Sequence, residues 1–146
     1  MHKAIILITL AAGLASAASA QELKVKPGNW ETTTTMNMSM TMNGQAMNIP
    51  PRTMTQTQCM TPEDAKFSPD ELTQEGCEVS NVKSGERTLS FDMVCTQQGA
   101  TMNGSMAFEL DASGETGTGT MDLEGSMQGA TMSMTGNTSA KYLGAC

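Results

Sequence analysis

The chain is poor in the residues from which most enzyme sites are made. Its single histidine is His2, inside a segment expected to be removed, so the remaining chain has neither a Ser-His-Asp nor a Cys-His mechanism nor a histidine zinc site. It has no Cys-x-x-Cys pair, no phosphate-cradling glycine loop and no nucleophile elbow. Carboxylate pairs of the glycosidase kind are available anywhere in so acidic a chain, but no aromatic sugar platform accompanies them. A non-enzymatic protein is expected.

Aromatics are scarce as well: Trp30, Tyr142, Phe67, Phe91 and Phe108 are all there are. The core must therefore come from Met, Leu, Val, Ile and Ala, a thin supply of buried area for a domain this size. Basic charge is short too, with eight Lys and Arg against fifteen Asp and Glu for a net charge of −7. No basic cluster offsets this, which excludes nucleic acid as a partner.

What is present begins with an address. Lys3, the apolar run "AIILITLAAGLA" and Ala18-Ser19-Ala20 read as a signal peptide over residues 1–20, cleaved after Ala20. The expected product is one periplasmic or secreted domain, residues 21–146. No later stretch is apolar and long enough for a membrane-spanning helix, and no cysteine follows the cut for lipidation.

Four cysteines in an exported chain predict two disulfides, with three pairings open. Cys77 and Cys95 lie equidistant from Glu86 in the turn "SGE", so a hairpin would set them opposite one another and leave Cys59 for Cys146.

Period two runs through nearly the whole chain. In "MNMSMTMNG" Met36, Met38, Met40 and Met42 occupy alternate positions, on the face that also takes Trp30, Thr32 and Thr34. The pattern returns at Leu89, Phe91 and Met93, at Met106, Phe108 and Leu110, at Met121 and Leu123, and at Met132 and Met134. Short Gly-bearing links separate these runs.

The expected fold is all-β: a single antiparallel meander in a strongly curved sheet or incomplete barrel, bent at Gly104, Gly117, Gly119, Gly125 and Gly136. "TPEDAKFSPDELTQEGC" breaks the alternation. Thr61 before Pro62 and Asp64, and Ser68 before Pro69 and Glu71, predict a short helical segment near residues 62–73. Its acidic residues lack calcium-loop spacing and read as a solvated face. Short strings recur, such as "MSMT" at Met38 and Met132, without a common period.

The strings "KPGNWETTTTMNM", "PPRTMTQTQCMTPEDA", "GCEVSNVKSGERTLSFDMVC", "GATMNGSMAFEL" and "AKYLGAC" together resemble the bacterial exported family called domain of unknown function 3617. The most specific pieces are Pro27-Gly28-x-Trp30-Glu31, "TQTQC" ending at Cys59, and Leu143-Gly144-x-Cys146. The resemblance spans the chain beyond residue 20. It implies a periplasmic or secreted all-β domain and no activity, and it makes methionine-rich first strands a family habit.

Three functional expectations follow. An apolar face built on Trp30, Leu89, Phe91, Met93, Met106, Phe108 and Leu110 would hold an apolar ligand or an envelope protein, with no cofactor. Alternatively, Met36, Met38, Met40 and Met42, with Met132 and Met134, would bind Cu(I) or Ag(I) through thioethers. A third reading is a methionine-sulfoxide oxidant sink. The sequence carries no signal for oligomeric state.

Overall fold

A computed structural model of the chain describes residues 23–67, 73 and 76–146. The leader expected at residues 1–20 and its cleavage point lie outside the described residues. The described residues form nine strands: β1 (Leu23–Lys24), β2 (Gly28–Met42), β3 (Gln45–Met60), β4 (Lys66–Phe67), β5 (Cys77–Ser84), β6 (Thr88–Gln97), β7 (Ala100–Leu110), β8 (Thr116–Met127) and β9 (Ala130–Gly144). Strands β1 and β4 pair with each other, and the other seven form one antiparallel sheet in the order β3-β2-β9-β8-β7-β6-β5. That sheet is curved and does not close into a barrel.

From β5 to β9 the chain is an uninterrupted meander. The order departs from a plain meander at one seam, where the carboxy-terminal β9 lies beside β2 and joins the meander to the β2–β3 hairpin. Two-residue turns close three of the hairpins: Asn43-Gly44, Gln98-Gly99 and Gln128-Gly129 all have positive φ at both positions. This is the type I′ turn, whose twist matches that of the flanking strands and whose second position favours glycine.

Strand β2 runs unbroken for fifteen residues and bends through a bulge against β3, whose register shifts between Met36 and Met38. Pro50 and Pro51 sit in β3 at this shift. Lacking N–H donors, they are tolerated there because β3 is an edge strand.

Antiparallel partners point to the same side of a sheet, so the register assigns every strand residue a face. One face collects Trp30, Met36, Met38, Met40, Leu89, Phe91, Met93, Phe108, Leu110 and Leu123. The other carries Glu31, Asp92, Glu109, Asp122, Glu124 and Lys141 among Thr and Ser. Among the described residues the two-stranded β1–β4 pair covers one end of the apolar face, and the sheet curls inward along the rest. Gly104, Gly117, Gly119, Gly125 and Gly136 all lie on this face; large side chains lean across the space left by the last four, while at Gly104 the backbone of Asp122 comes close.

The core occupies one end of this inner face: Leu23, Trp30, Leu89, Phe91, Met93, Leu110 and Leu123 form its buried cluster. The β1–β4 pair, held also by Val25 N–H donating to the Ala65 carbonyl (3.1 Å), brings Leu23 and Ala65 into buried positions.

Within the segment expected to be helical, Thr61 and Asp64 cap one another: the Thr61 hydroxyl donates to Asp64 Oδ2 (2.7 Å) and the Asp64 N–H donates back to Thr61 Oγ1 (3.2 Å). One turn forms at residues 62–65 and the chain then enters β4, so the capping signal is used but the helix does not continue through residue 67. The second expected start, from Ser68, falls at residues 68–72, outside the described residues.

Candidate functional site

At the covered end, Trp30 fixes the geometry. It is 3% exposed, donates its indole N–H to the Lys26 carbonyl (2.7 Å), and meets Tyr142 edge-on at 5.6 Å between ring centroids. Lys26 then lies 4.4 Å above the Tyr142 ring while its ammonium pairs with Glu115 (2.9 Å). The hydrogen bond it donates to Glu115, above all, raises the Lys26 pKa above its ordinary value. Both charged ends are about half exposed, so the pair contributes little to stability.

Beside Trp30 is a pocket of about 200 Å³ between Leu23 and Val25 of the cover and Trp30, Phe108, Leu110 and Ala140 of the sheet. It exists because the strand floor is Gly117, Gly119 and Ala140, which contribute almost no side-chain volume. Leu110 and Phe108 already lean over the two glycines: a methyl at Gly117 would lie 3.1 Å from Leu110 Cδ2, and one at Gly119 3.0 Å from Phe108 Cδ1.

Beyond the pocket the same face becomes a field of methionines. All fourteen methionines after Met1 lie on it by register. Met93 belongs to the buried core, Met106, Met121 and Met134 pack against it, and Met36, Met38, Met40 and Met132 are half-exposed. Met42, Met47, Met54 and Met127 are open to solvent. Among the described strand residues placed on this face, Arg52 of the edge strand is the one charged side chain.

The structure therefore brings the expected apolar residues together. Trp30, Leu89, Phe91, Met93 and Leu110 are in the buried core, with Met106 and Phe108 against it. Of the candidate thioethers, Met38 stands opposite Met134 and Met40 opposite Met132, whereas Met36 faces Gly136 and Met42 faces Ala130. The disulfides join Cys77 to Cys95, directly opposed in the β5–β6 pair, and Cys59 to Cys146. Among the described residues no cysteine is free and no group of three His, Cys, Asp or Glu side chains is placed to hold a metal. Sequence reasoning missed Leu23, Val25 and Ala140 as pocket walls; the apolar alternation of "ELKVK" was the available signal for the first two.

The closing features of this site are those of its most specific motifs: Gly28 beneath Tyr142, Trp30 in the core, Cys59 bonded to Cys146. A family model described as Protein of unknown function (DUF3617) matches residues 25–146. The chain belongs to the DUF3617 family. Searches of curated proteins and of solved structures each found no match. In this DUF3617 member Gly28 has φ +142°, and a side chain there would strike Tyr142, with its first carbon also 2.5 Å from the Gly144 carbonyl. That is a backbone position only glycine fills comfortably. Two disulfides are characteristic of an oxidising compartment, and no helix among the described residues is long and apolar enough to cross a membrane.

Proposed function

We propose that this DUF3617 domain is an exported, non-enzymatic binding protein that takes an apolar group into the pocket under β1 and lays the rest of the ligand along the methionine face. The observation that carries this reading is the unequal covering of one continuous apolar surface: β1 roofs the Trp30 end and leaves a pocket, while no second layer lies on the methionine end among the described residues. A volume near 200 Å³ is somewhat larger than the roughly 150 Å³ cavity that admits benzene. It therefore suits the branched or aromatic end of a larger apolar molecule. Methionine's unbranched, polarisable side chain adapts to varied shapes along the remainder. By register the strand carboxylate side chains lie on the outer face.

The test is titration of the native, disulfide-intact protein with the neutral dye N-phenyl-1-naphthylamine. One dye per chain is expected, weakened at least tenfold by Ala140→Leu, which fills the pocket floor, with the circular dichroism spectrum unchanged. A native protein that leaves the dye unbound sinks the reading.

A further inference from the structure

We propose that Met38, Met40, Met132 and Met134 form a thioether site for one soft monovalent metal ion, Cu(I) or Ag(I). The string Met-Ser-Met occurs at residues 38–40 and again at 132–134, and the sheet pairs the two copies with each other: Met38 opposite Met134, Ser39 opposite Ser133, Met40 opposite Met132. The result is a square of four methionines on two adjacent strands, all on the inner face. Directly opposed Cβ atoms in such a pair are roughly 4.5–5.5 Å apart, and alternate residues along a strand about 6.5–7 Å. Flexible thioether side chains span those distances, so four sulfurs converge above the centre of the square without moving the backbone.

Three further observations favour metal binding over packing alone. The square lies largely beyond the core: Met134 touches the buried cluster, whereas Met38, Met40 and Met132 do not and remain half-exposed. The next position after Met132 in that row is Gly125, where there is no side chain to block Met132, and Met132 shares the space it leaves with Met102. A methyl there would lie 3.8 Å from Met132 Cε and 3.2 Å from Met102 Cγ. The donor set is also selective. Among the described residues there is no free thiolate to outcompete the thioethers and no cluster of His, Cys, Asp or Glu to hold a harder cation, and thioether sulfur prefers Cu(I) and its congeners.

The site is separate from the pocket under β1, and its test reads metal binding at the methionine methyls rather than uptake of an apolar ligand. Ag(I) is the probe, added as the nitrate without chloride or reductant, because it leaves the disulfides intact and creates no thiols. With the methionine methyls labelled in ¹³C, one equivalent should shift the resonances of Met38, Met40, Met132 and Met134 to saturation while Met54 and Met60 stay in place. The variant M38L/M40L/M132L/M134L should bind Ag(I) at least tenfold more weakly while keeping the native circular dichroism spectrum. If that variant does not fold, M40L/M132L replaces it with the same expectation. Unshifted methyls at one equivalent, or an even response across all the methionines, would overturn the proposal, as would equal affinity in the leucine variant.

Discussion

Met36 and Met121 close over Gly136: a methyl placed on that glycine would lie 3.1 Å from Met121 Cε and 3.9 Å from Met36 Cγ. The glycine belongs to β9, between the two strands that carry the methionines. Its missing side chain lets two large neighbours occupy the same space, which is how a single sheet with few aromatics fills its inner face.

The nature of the obstacle decides what a substitution costs. At Gly136 the nearest atom is the free end of a flexible side chain, so Gly136→Ala is expected to change stability by no more than about 1 kcal/mol. At Gly104 the obstacle is the backbone carbonyl of Asp122, which a methyl would overlap. Gly104→Ala should therefore cost about 3 kcal/mol or more. Urea denaturation of the two variants side by side checks the difference; equal losses would show that backbone approach is not what fixes Gly104.

The disulfides close loops of very different length, with separations of 18 residues for Cys77–Cys95 and 87 for Cys59–Cys146. Chain-entropy reasoning assigns roughly 3 kcal/mol to the short loop and about 4.5 to the long one. Replacing Cys59 and Cys146 by serine should thus lower the urea midpoint more than replacing Cys77 and Cys95. The reverse order would mean that local packing around the β5–β6 bridge outweighs loop entropy.

Acid should loosen the β7–β8 connection late. Asp111 accepts the Ser113 hydroxyl at both carboxylate oxygens (2.8 and 2.7 Å) and the backbone N–H groups of Glu115 and Thr116 (3.2 Å each). These bonds, Ser113 foremost, lower its pKa from 3.8 to about 2. Because the folded value lies below the ordinary one, this contribution is complete above pH 3.8 and is lost as pH falls through about 2. Carboxyl NMR should find the Asp111 midpoint near 2, and Asp111→Asn should flatten the pH dependence of stability in that window. A midpoint at the ordinary value would contradict the geometry.

Much of the fold can be read directly from alternation. The methionines at 36, 38, 40 and 42 announce a half-buried strand, and the spacing of Cys77 and Cys95 about Glu86 fits the hairpin that sets them opposite. Strand β3 was harder to see, because "QAMNIPPRTMTQTQC" joins two prolines to mostly polar, exposed residues. An edge strand needs only one paired side and tolerates both features. The β2–β9 seam was not legible at all. Two copies of Met-Ser-Met ninety-odd residues apart look like compositional chance until the register makes them partners. The pocket was equally hidden, since its walls are a two-residue strand and its floor an absence of side chains. Resemblance carried the closing motifs, and the structure gives them reasons: Gly28 accommodates Tyr142, and Cys59 receives Cys146.

An open sheet has two boundaries, and here each is held by a covalent bond. Cys77–Cys95 fastens β5, the last strand on one side, to its neighbour; Cys59–Cys146 fastens the end of β3, the last strand on the other side, to the residues just after β9. Sheets without closure ordinarily fray from their margins, and a freed margin is the template on which chains exchange strands with one another. Holding both margins in place hinders the first step of that exchange while the methionine end of the inner face stays open to solvent. The protein can thus keep a large sticky surface in an extracytoplasmic space without its edges becoming the seed of an aggregate.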